Sequence, residues 1–328
     1  MKKNLLTVAL AIIMSLALTA CSSTPAGSAS SASSAASDTY TVGIVQLMQH
    51  VALDQATQGF QDALKDKLGD KVTFDVQMAG GEATNCTPIV TKFITSGVDL
   101  IMANATPAVI AAKEATSTIP IVGTSVTDYV AEEAAIVESN DAPGGNVTGY
   151  SDLSDIAAHV ELAGKLCPDV KTVAIIYCSA EPNSVIQGNQ AEELFQNAGY
   201  ETVTLTASDI TTLSGVVSSA CEKAGLIYIP TDNLFAENME AVKNIAVPAK
   251  VPVICGEGGM VNAGGTASVA IDYYTLGYRA GEMAYSILAE GADPATTPIG
   301  FMTAEDMELV INQENSDAIG LVIPDDLK

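Results

Sequence analysis

The stretch Asp99–Pro107, DLIMANATP, decides the fold of this chain. Its apolar run, Leu100 to Ala103, ends abruptly in Asn104, Ala105, Thr106 and Pro107, and Ala-rich helix-forming sequence follows. The run reads as a buried parallel strand. Pro107 suits the first turn of a helix, where its missing N–H is not needed. A strand end and a helix start therefore meet at Ala105 and Thr106, and free backbone N–H groups there make a seat for an anion. The layout recurs in Gly225–Asn233, GLIYIPTDN, where Thr231, Asp232 and Asn233 stand at the strand's carboxyl end. Each copy is followed by a helix and a Pro-led strand, Ile119–Asp128 (IPIVGTSVTD) and Val251–Gly259 (VPVICGEGG). Each is preceded by another matched strand, Val42–Gln46 (VGIVQ) and Val173–Tyr177 (VAIIY). Three matched strand ends in two successive halves predict an α/β protein of two doubly wound parallel-sheet lobes. Ligands of such sheets sit at the strands' carboxyl ends, so two facing sheets would clasp a ligand between them.

The chain has 328 residues, enough for two domains with good cores. Its net charge is −25, from 14 basic and 39 acidic residues. Without Lys2 and Lys3, which lie in a segment expected to be removed, the balance is 12 against 39, or −27. A nucleic-acid partner is excluded on that balance, because phosphate binding needs clustered Lys and Arg. The single arginine, Arg279, falls inside an expected helix over residues 272–290, so no guanidinium clamp on a ligand is expected. A bound carboxylate would have to be met by hydroxyls and helix-end amides. Tryptophan is absent.

Residues 1–20 read as a signal peptide: Lys2 and Lys3, then an apolar core from Leu5 to Leu18. Leu18-Thr19-Ala20-Cys21 looks like a lipoprotein processing site, which makes Cys21 the expected lipidation residue. Residues 21–38, almost all Ser and Ala, read as a tether that cannot bury a core. Lobe one is expected to comprise residues 39–149 and 268–292, lobe two residues 150–267 and 293–328. Three crossings between the lobes form a hinge able to open and close.

Gln46 ends the first strand, and a helix is expected from His50 to Leu68, with Leu53, Ala56, Phe60, Ala63 and Leu64 at helical spacing. His50 and Asp54, four apart, share the opposite side and could reach over the cleft; on spacing alone, a solvated cap for His50 and a helix-dipole role for Asp54 explain them better. Residues 78–86 are expected as a loop before a helix from Pro88 to Ser96. Thr124, Ser125, Thr127 and Asp128 crowd one strand end. Turn and cap roles favour the same residue types, but three hydroxyls there favour ligand contact. Asn183 and Ser184 stand where N-caps stand, and a helix from Val185 to Asn197 is expected after them. Asp232 follows Leu226, Ile227, Tyr228 and Ile229, where a carboxylate is costly unless paired. A ligand ammonium or a backbone cap would pair it. Asn104, Asn233 and Asp272 also stand at strand ends. No GxGxxG or GxxxxGK[ST] pattern exists, and His50 and His159 have no thiol at ligand spacing, so neither a cofactor nor a metal is expected. No catalytic constellation places Ser, His and Asp together, so no enzyme is expected. After Cys21 come Cys86, Cys167, Cys178, Cys221 and Cys255, with no CxxC pair; they read as small buried residues.

With these motifs in hand, the chain resembles the solute-binding lipoproteins of ABC importers, in particular the tryptophan/tyrosine branch associated with aromatic amino acids. The resemblance covers nearly all of the chain after the tether. It rests on GIVQLMQHVALD (Gly43–Asp54), DLIMANATPA, IPIVGTSVTD, NVTGYSD (Asn146–Asp152), YCSAEPNS (Tyr177–Ser184), IYIPTDN and IDYYTLG (Ile271–Gly277). It implies a type I periplasmic binding protein-like fold, a free amino acid as ligand, an ABC permease as partner, a monomer, and an exported chain held at the outer face of the membrane through its lipid alone. It also implies that the ligand carboxylate meets Thr106, Ser125, Thr127 and the amides at Ala105 and Thr106. The ammonium would meet Asp232 with Asp128 or Glu181. Asn183 and Ser184 would close over from lobe two, and Gln46, His50, Asp54 and Tyr273 would border the ring. A binder of another small solute, or a sensor that hands its closed form to a membrane kinase, remain as alternatives.

Overall fold

The computed structural model describes residues 39–328. Cys21 and the expected signal peptide and tether lie outside them. The strands of the first half are β1 (Tyr40–Gln46), β2 (Val72–Met78), β3 (Leu100–Asn104), β4 (Ile121–Val126) and β5 (Val147–Ser151). Those of the second are β6 (Thr172–Cys178), β7 (Glu201–Ala207), β8 (Leu226–Ile229), β9 (Val253–Cys255) and β10 (Ala267–Ile271), followed by β11 (Gly300–Phe301) and β12 (Met307–Ile311). They form two six-stranded sheets, ordered β11-β5-β4-β3-β1-β2 and β12-β10-β9-β8-β6-β7. The orders are the same once the halves are superposed, as the recurring sequence layout requires. Every pairing is parallel except β10 with β12.

The helices are α1 (Val51–Leu68), α2 (Ala83–Ser96), α3 (Thr106–Ala115), α4 (Ile156–Leu166), α5 (Pro182–Asn197), α6 (Ile210–Lys223), α7 (Asn233–Glu237), α8 (Met239–Ala249), α9 (Gly258–Ala263), α10 (Tyr273–Glu290) and α11 (Gln313–Ile319). They cover both faces of each sheet, so successive residues of a central strand enter different cores. In β3, Ile101 and Ala103 join the cluster with Phe93 and Val109, while Leu100 and Met102 join the one with Phe60 and Ala280. In β8, Ile227 and Ile229 face Phe235 and Met260, while Leu226 and Tyr228 face Phe195 and Leu162. All nine residues of these two strands are fully buried. α1 and α10 lie nearly in contact along a glycine seam. A Cβ at Gly277 would stand 2.0 Å from the Ala56 carbonyl oxygen, and one at Gly59 would stand 2.1 Å from that of Tyr274.

Several expected boundaries shift. The first crossing comes after Ser151, not near Gly149, because β5 pairs along its length with β4. β10 stays in the second sheet between β9 and β12, so the return to lobe one begins after Ile271 rather than at residue 268. Gly300–Phe301 then adds a strand beside β5, so part of the segment 293–328 belongs to lobe one. An apolar run marks a strand but carries no signal for which of two similar sheets it will pair with. α2 starts at Ala83, inside the expected loop, and holds Pro88; the Thr84 residue whose carbonyl loses its partner is exposed. α5 starts at Pro182, so Asn183 and Ser184 lie within its first turn and Glu181 takes the N-cap position.

Candidate functional site

The strand ends of the two sheets face each other across a narrow, partly open cavity whose free volume is about 10 Å³, room for one water. Lobe one supplies His50 and Leu53 from the start of α1, Ser125 and Thr127 at and after β4, Asp152 after β5, and Tyr273 at the start of α10. Lobe two supplies Asn183 from α5, Thr231, Asp232 and Asn233 after β8, and Glu257 after β9. No lysine or arginine lines it. Arg279 lies elsewhere, paired through both guanidinium nitrogens with Asp306 at 2.6 and 2.9 Å.

Polar atoms without partners converge here. His50 Nδ1, Ser125 Oγ, Asp152 Oδ1, Asn183 Oδ1, Thr231 Oγ1 and Glu257 Oε2 are all buried and make no hydrogen bond. A buried polar atom left unpaired costs about 1–3 kcal/mol, so six around one cavity make it the candidate binding site. The state of His50 follows from its neighbours. Glu181 accepts from Asn233 Nδ2, which turns Asn233 Oδ1 toward His50 Nε2 at 3.1 Å. That oxygen can only accept, so Nε2 carries the proton and Nδ1 is the free acceptor. Burial lowers the His50 pKa and keeps the ring neutral.

Three carboxylates share the wall. Burial pushes Asp152 up to about 6 despite the bond it accepts from the Tyr273 hydroxyl at 2.8 Å. Burial, with the charges of Asp152 and Asp232, pushes Glu257 up to about 8. Asp232 is also raised, by burial first and then by the charge of Glu181. The site as a whole is short of positive charge and would be stabilised by a cation.

The lobes are tied directly by two bonds. One is His50 to Asn233; in the other Gln187 Nε2 donates to Thr127 Oγ1 at 2.8 Å. Gln187, on α5, is fully buried and also accepts from Ser154 Oγ and the Thr231 amide. Outside the cavity a wider chamber separates the lobes. It is bordered by Leu47, Met48 and Pro107 on one side and Cys178, Ala180 and Leu234 on the other.

The residues singled out in the sequence divide into three groups. His50, Ser125, Thr127, Asn183, Asp232 and Asn233 line the cavity. Asp232 does so with both oxygens occupied, accepting from the Cys178 amide at 2.6 Å and the Phe235 amide at 2.9 Å. It caps α7, which is the backbone role the sequence had left open for it. Gln46, Asp54 and Asn104 form a buried strut behind the wall: Gln46 bonds Asp54 and Thr57, and Asn104 bonds Thr57 and the Leu53 carbonyl. The third group serves local structure away from the cavity. Asp128 accepts from the Val130 and Ala131 amides, Asp272 caps α10, and Glu181 holds the Asn233 and Leu234 amides. Ser184 accepts from Asn183, and Thr106 and Thr124 keep buried hydroxyls without partners off the cavity wall. The Ala105 amide, expected to hold an anion, donates instead to the Thr124 carbonyl at 3.0 Å.

Asp152 and Glu257 were not singled out as site residues, although both sit in quoted motifs. Their signal was the one applied to Asp232, an acid directly after a buried strand. All five cysteines among the described residues are unpaired, and four are buried. His159 is built into the lobe-two core between Tyr228 and the Val269 carbonyl.

Comparison with known proteins follows this geometry. A family model described as ABC transporter substrate binding protein matches residues 41–328. A curated protein of Clostridioides difficile named tyrosine-binding protein is 38% identical over 283 residues, 85% of this chain and 81% of its own. Among solved structures, an ABC domain in complex with L-Trp from Streptococcus pneumonia superposes with a TM-score of 0.84 at 31% identity, covering 88% of this chain and 97% of that one. A substrate-binding protein with adhesive properties from Clostridium difficile, solved ligand-free and open, gives 0.67 at 34% identity, with 87% and 96% covered. The chain as a whole thus superposes better on the tryptophan complex than on the open protein.

Proposed function

The chain belongs to the ABC transporter substrate-binding protein family, and from that premise we propose that it captures a free aromatic amino acid between its lobes for delivery to an ABC permease. Proteins of this family are extracytoplasmic binders of solutes rather than enzymes. The relative named for tyrosine and the neighbour holding L-Trp support the ligand class. The observation that carries the reading is the convergence of unpartnered polar atoms from both lobes on one narrow cavity between them.

In this reading the ammonium enters among Asp152, Glu257 and His50 Nδ1, all acceptors. Asp232 contributes its charge while its oxygens stay on the backbone. The carboxylate meets the Ser125 hydroxyl and the first-turn amides of α1, whose N-cap residue His50 makes no side-chain cap bond to them. Leu53 and Tyr273 border the ring. Burying an aromatic side chain of ~150–250 Å² at ~25 cal/mol/Å² gives roughly 4–6 kcal/mol. A micromolar affinity needs about 8 kcal/mol net of association costs. The ring thus supplies much of the affinity and the polar wall selects the zwitterion. Export by the segment 1–20 and anchoring through a lipid on Cys21 complete the reading.

The chain lacks tryptophan, so excitation in the indole band reports added L-tryptophan alone. Its emission should change on binding and be reversed by L-tyrosine and L-phenylalanine, with L-leucine at least about ten-fold weaker. No response to any aromatic amino acid at millimolar concentration would remove this reading.

A further inference from the structure

Asp152 and Glu257 are each 2% exposed and are carried by opposite lobes. The Asp152 amide donates to the Val126 carbonyl at 3.1 Å, which holds it to the first sheet; Glu257 joins β9 to α9 in the second. One Asp152 oxygen takes the Tyr273 hydroxyl, and Tyr273 itself stands directly after the crossing that follows β10. Glu257 Oε2 has no partner. The charged and titratable groups around the pair are Asp232 after β8, His50 on α1, Tyr273 on α10, the buried Tyr129 phenol after β4 beside Asp152, and the buried Cys255 thiol behind Glu257. None is a cation, since His50 is neutral.

Resting on the amino-acid reading above, we propose that Asp152 and Glu257 form an electrostatic spring across the cleft, which only a ligand bearing a protonated amine discharges. Without a cation, bringing the lobes together places two buried carboxylates against one wall. The open cleft, with both carboxylates in water, relieves this. An ammonium between them neutralises the wall and lets the lobes close, so amine recognition and closure are one event. A ligand with the right ring and carboxylate but no amine meets the same wall and leaves the cleft open.

Protons act as a weak substitute for the amine. In the closed, ligand-free form burial raises Asp152 to about 6 and Glu257 to about 8, above their values in an open cleft. At these two carboxylates the closed form therefore binds more protons, so it loses population as pH rises from their ordinary values near 4 to about 8; His50, whose pKa burial lowers, opposes this only below about 6.5. The device needs no second ligand and no contact outside the cavity.

Small-angle X-ray scattering on the whole protein tests this. At pH 8 L-tyrosine should contract the radius of gyration, whereas 3-(4-hydroxyphenyl)propionate, the same molecule without its amine, should leave it at the ligand-free value. Lowering the pH from 8 to 6 should contract the ligand-free protein. Glu257→Gln should be compact at pH 8 without ligand and bind L-tyrosine at least about ten-fold more weakly. Contraction by the amine-free analogue equal to that by tyrosine, or a ligand-free radius that ignores pH while tyrosine still contracts it, overturns this inference and leaves the amino-acid reading standing. Absence of binding by both tyrosine and tryptophan overturns the two together.

Discussion

Ala105 and Ser125 end the central strands β3 and β4 with φ of +91° and +55°, a region that non-glycine residues enter at a cost of about 1–3 kcal/mol. At Ala105 the strain turns the chain from strand to helix in one residue: its amide bonds Thr124 and its carbonyl receives the Ala108 and Val109 amides. Ser125 is turned into the cavity. Ala105→Gly keeps those backbone bonds and removes the Cβ penalty. Chemical denaturation should show it about 1 kcal/mol more stable, after the entropy glycine adds to the unfolded chain is subtracted. A loss of stability would mean that the Ala105 methyl packs better than its backbone is strained. The acids also separate at this scale. An acid after a buried strand is legible in sequence, yet Asp232, Glu181, Asp152 and Glu257 all fit that description. What distinguishes them is whether nearby amides reach both oxygens, as they do for Asp232 and not for Glu257.

Between elements, the decisive contact is the α1–α10 seam. The helical spacing of Leu53, Ala56, Phe60, Ala63 and Leu64 predicted an amphipathic α1, and all five are buried. The return of the helix up to Glu290 to lobe one was legible in the sequence; its pairing with α1 was not, because the two are brought together only after the chain has visited the second sheet. Gly59, Gly277 and Gly281 let the two backbones meet, and α1 and α10 carry His50, Leu53 and Tyr273 to the cavity. Gly277→Ala would force its methyl into the Ala56 carbonyl. It should cost about 1–3 kcal/mol in urea denaturation and weaken binding as α1 shifts. Wild-type stability would mean that the seam can part without loss. The helix starts moved for a local reason: turn residues at 78–86 and at Asn183 and Ser184 suit both a loop and a first helical turn.

Over the whole molecule the closed cleft is held by few direct bonds, His50 to Asn233 and Gln187 to Thr127. Gln187 does not line the cavity, so its contribution is to the closed state and not to ligand contact. Removing it takes away the donor to Thr127 Oγ1 across the cleft, and within lobe two the acceptor of the Ser154 hydroxyl and the Thr231 amide; the cross-cleft bond is worth about 1–1.5 kcal/mol, or about ten-fold in an equilibrium. Gln187→Ala should release bound L-tryptophan about ten times faster in stopped-flow fluorescence, with a much smaller change in the association rate. Equal slowing of association would instead assign Gln187 to the open form.

The sequence by itself determined the two similar sheets, the strand ends that line the cavity, the lack of a second arginine to clamp a ligand and most of the cavity's hydroxyls and amides. Those follow from local signals: apolar runs that need two covered faces, polar residues that stop them, and composition. Tertiary structure decided which strands cross between lobes, which acids keep a free oxygen, and that Gln187, from the middle of a helix, would tie the lobes. These depend on groups far apart in the chain meeting in space, and the worth of a buried charge is fixed by what it meets there, not by its neighbours in sequence.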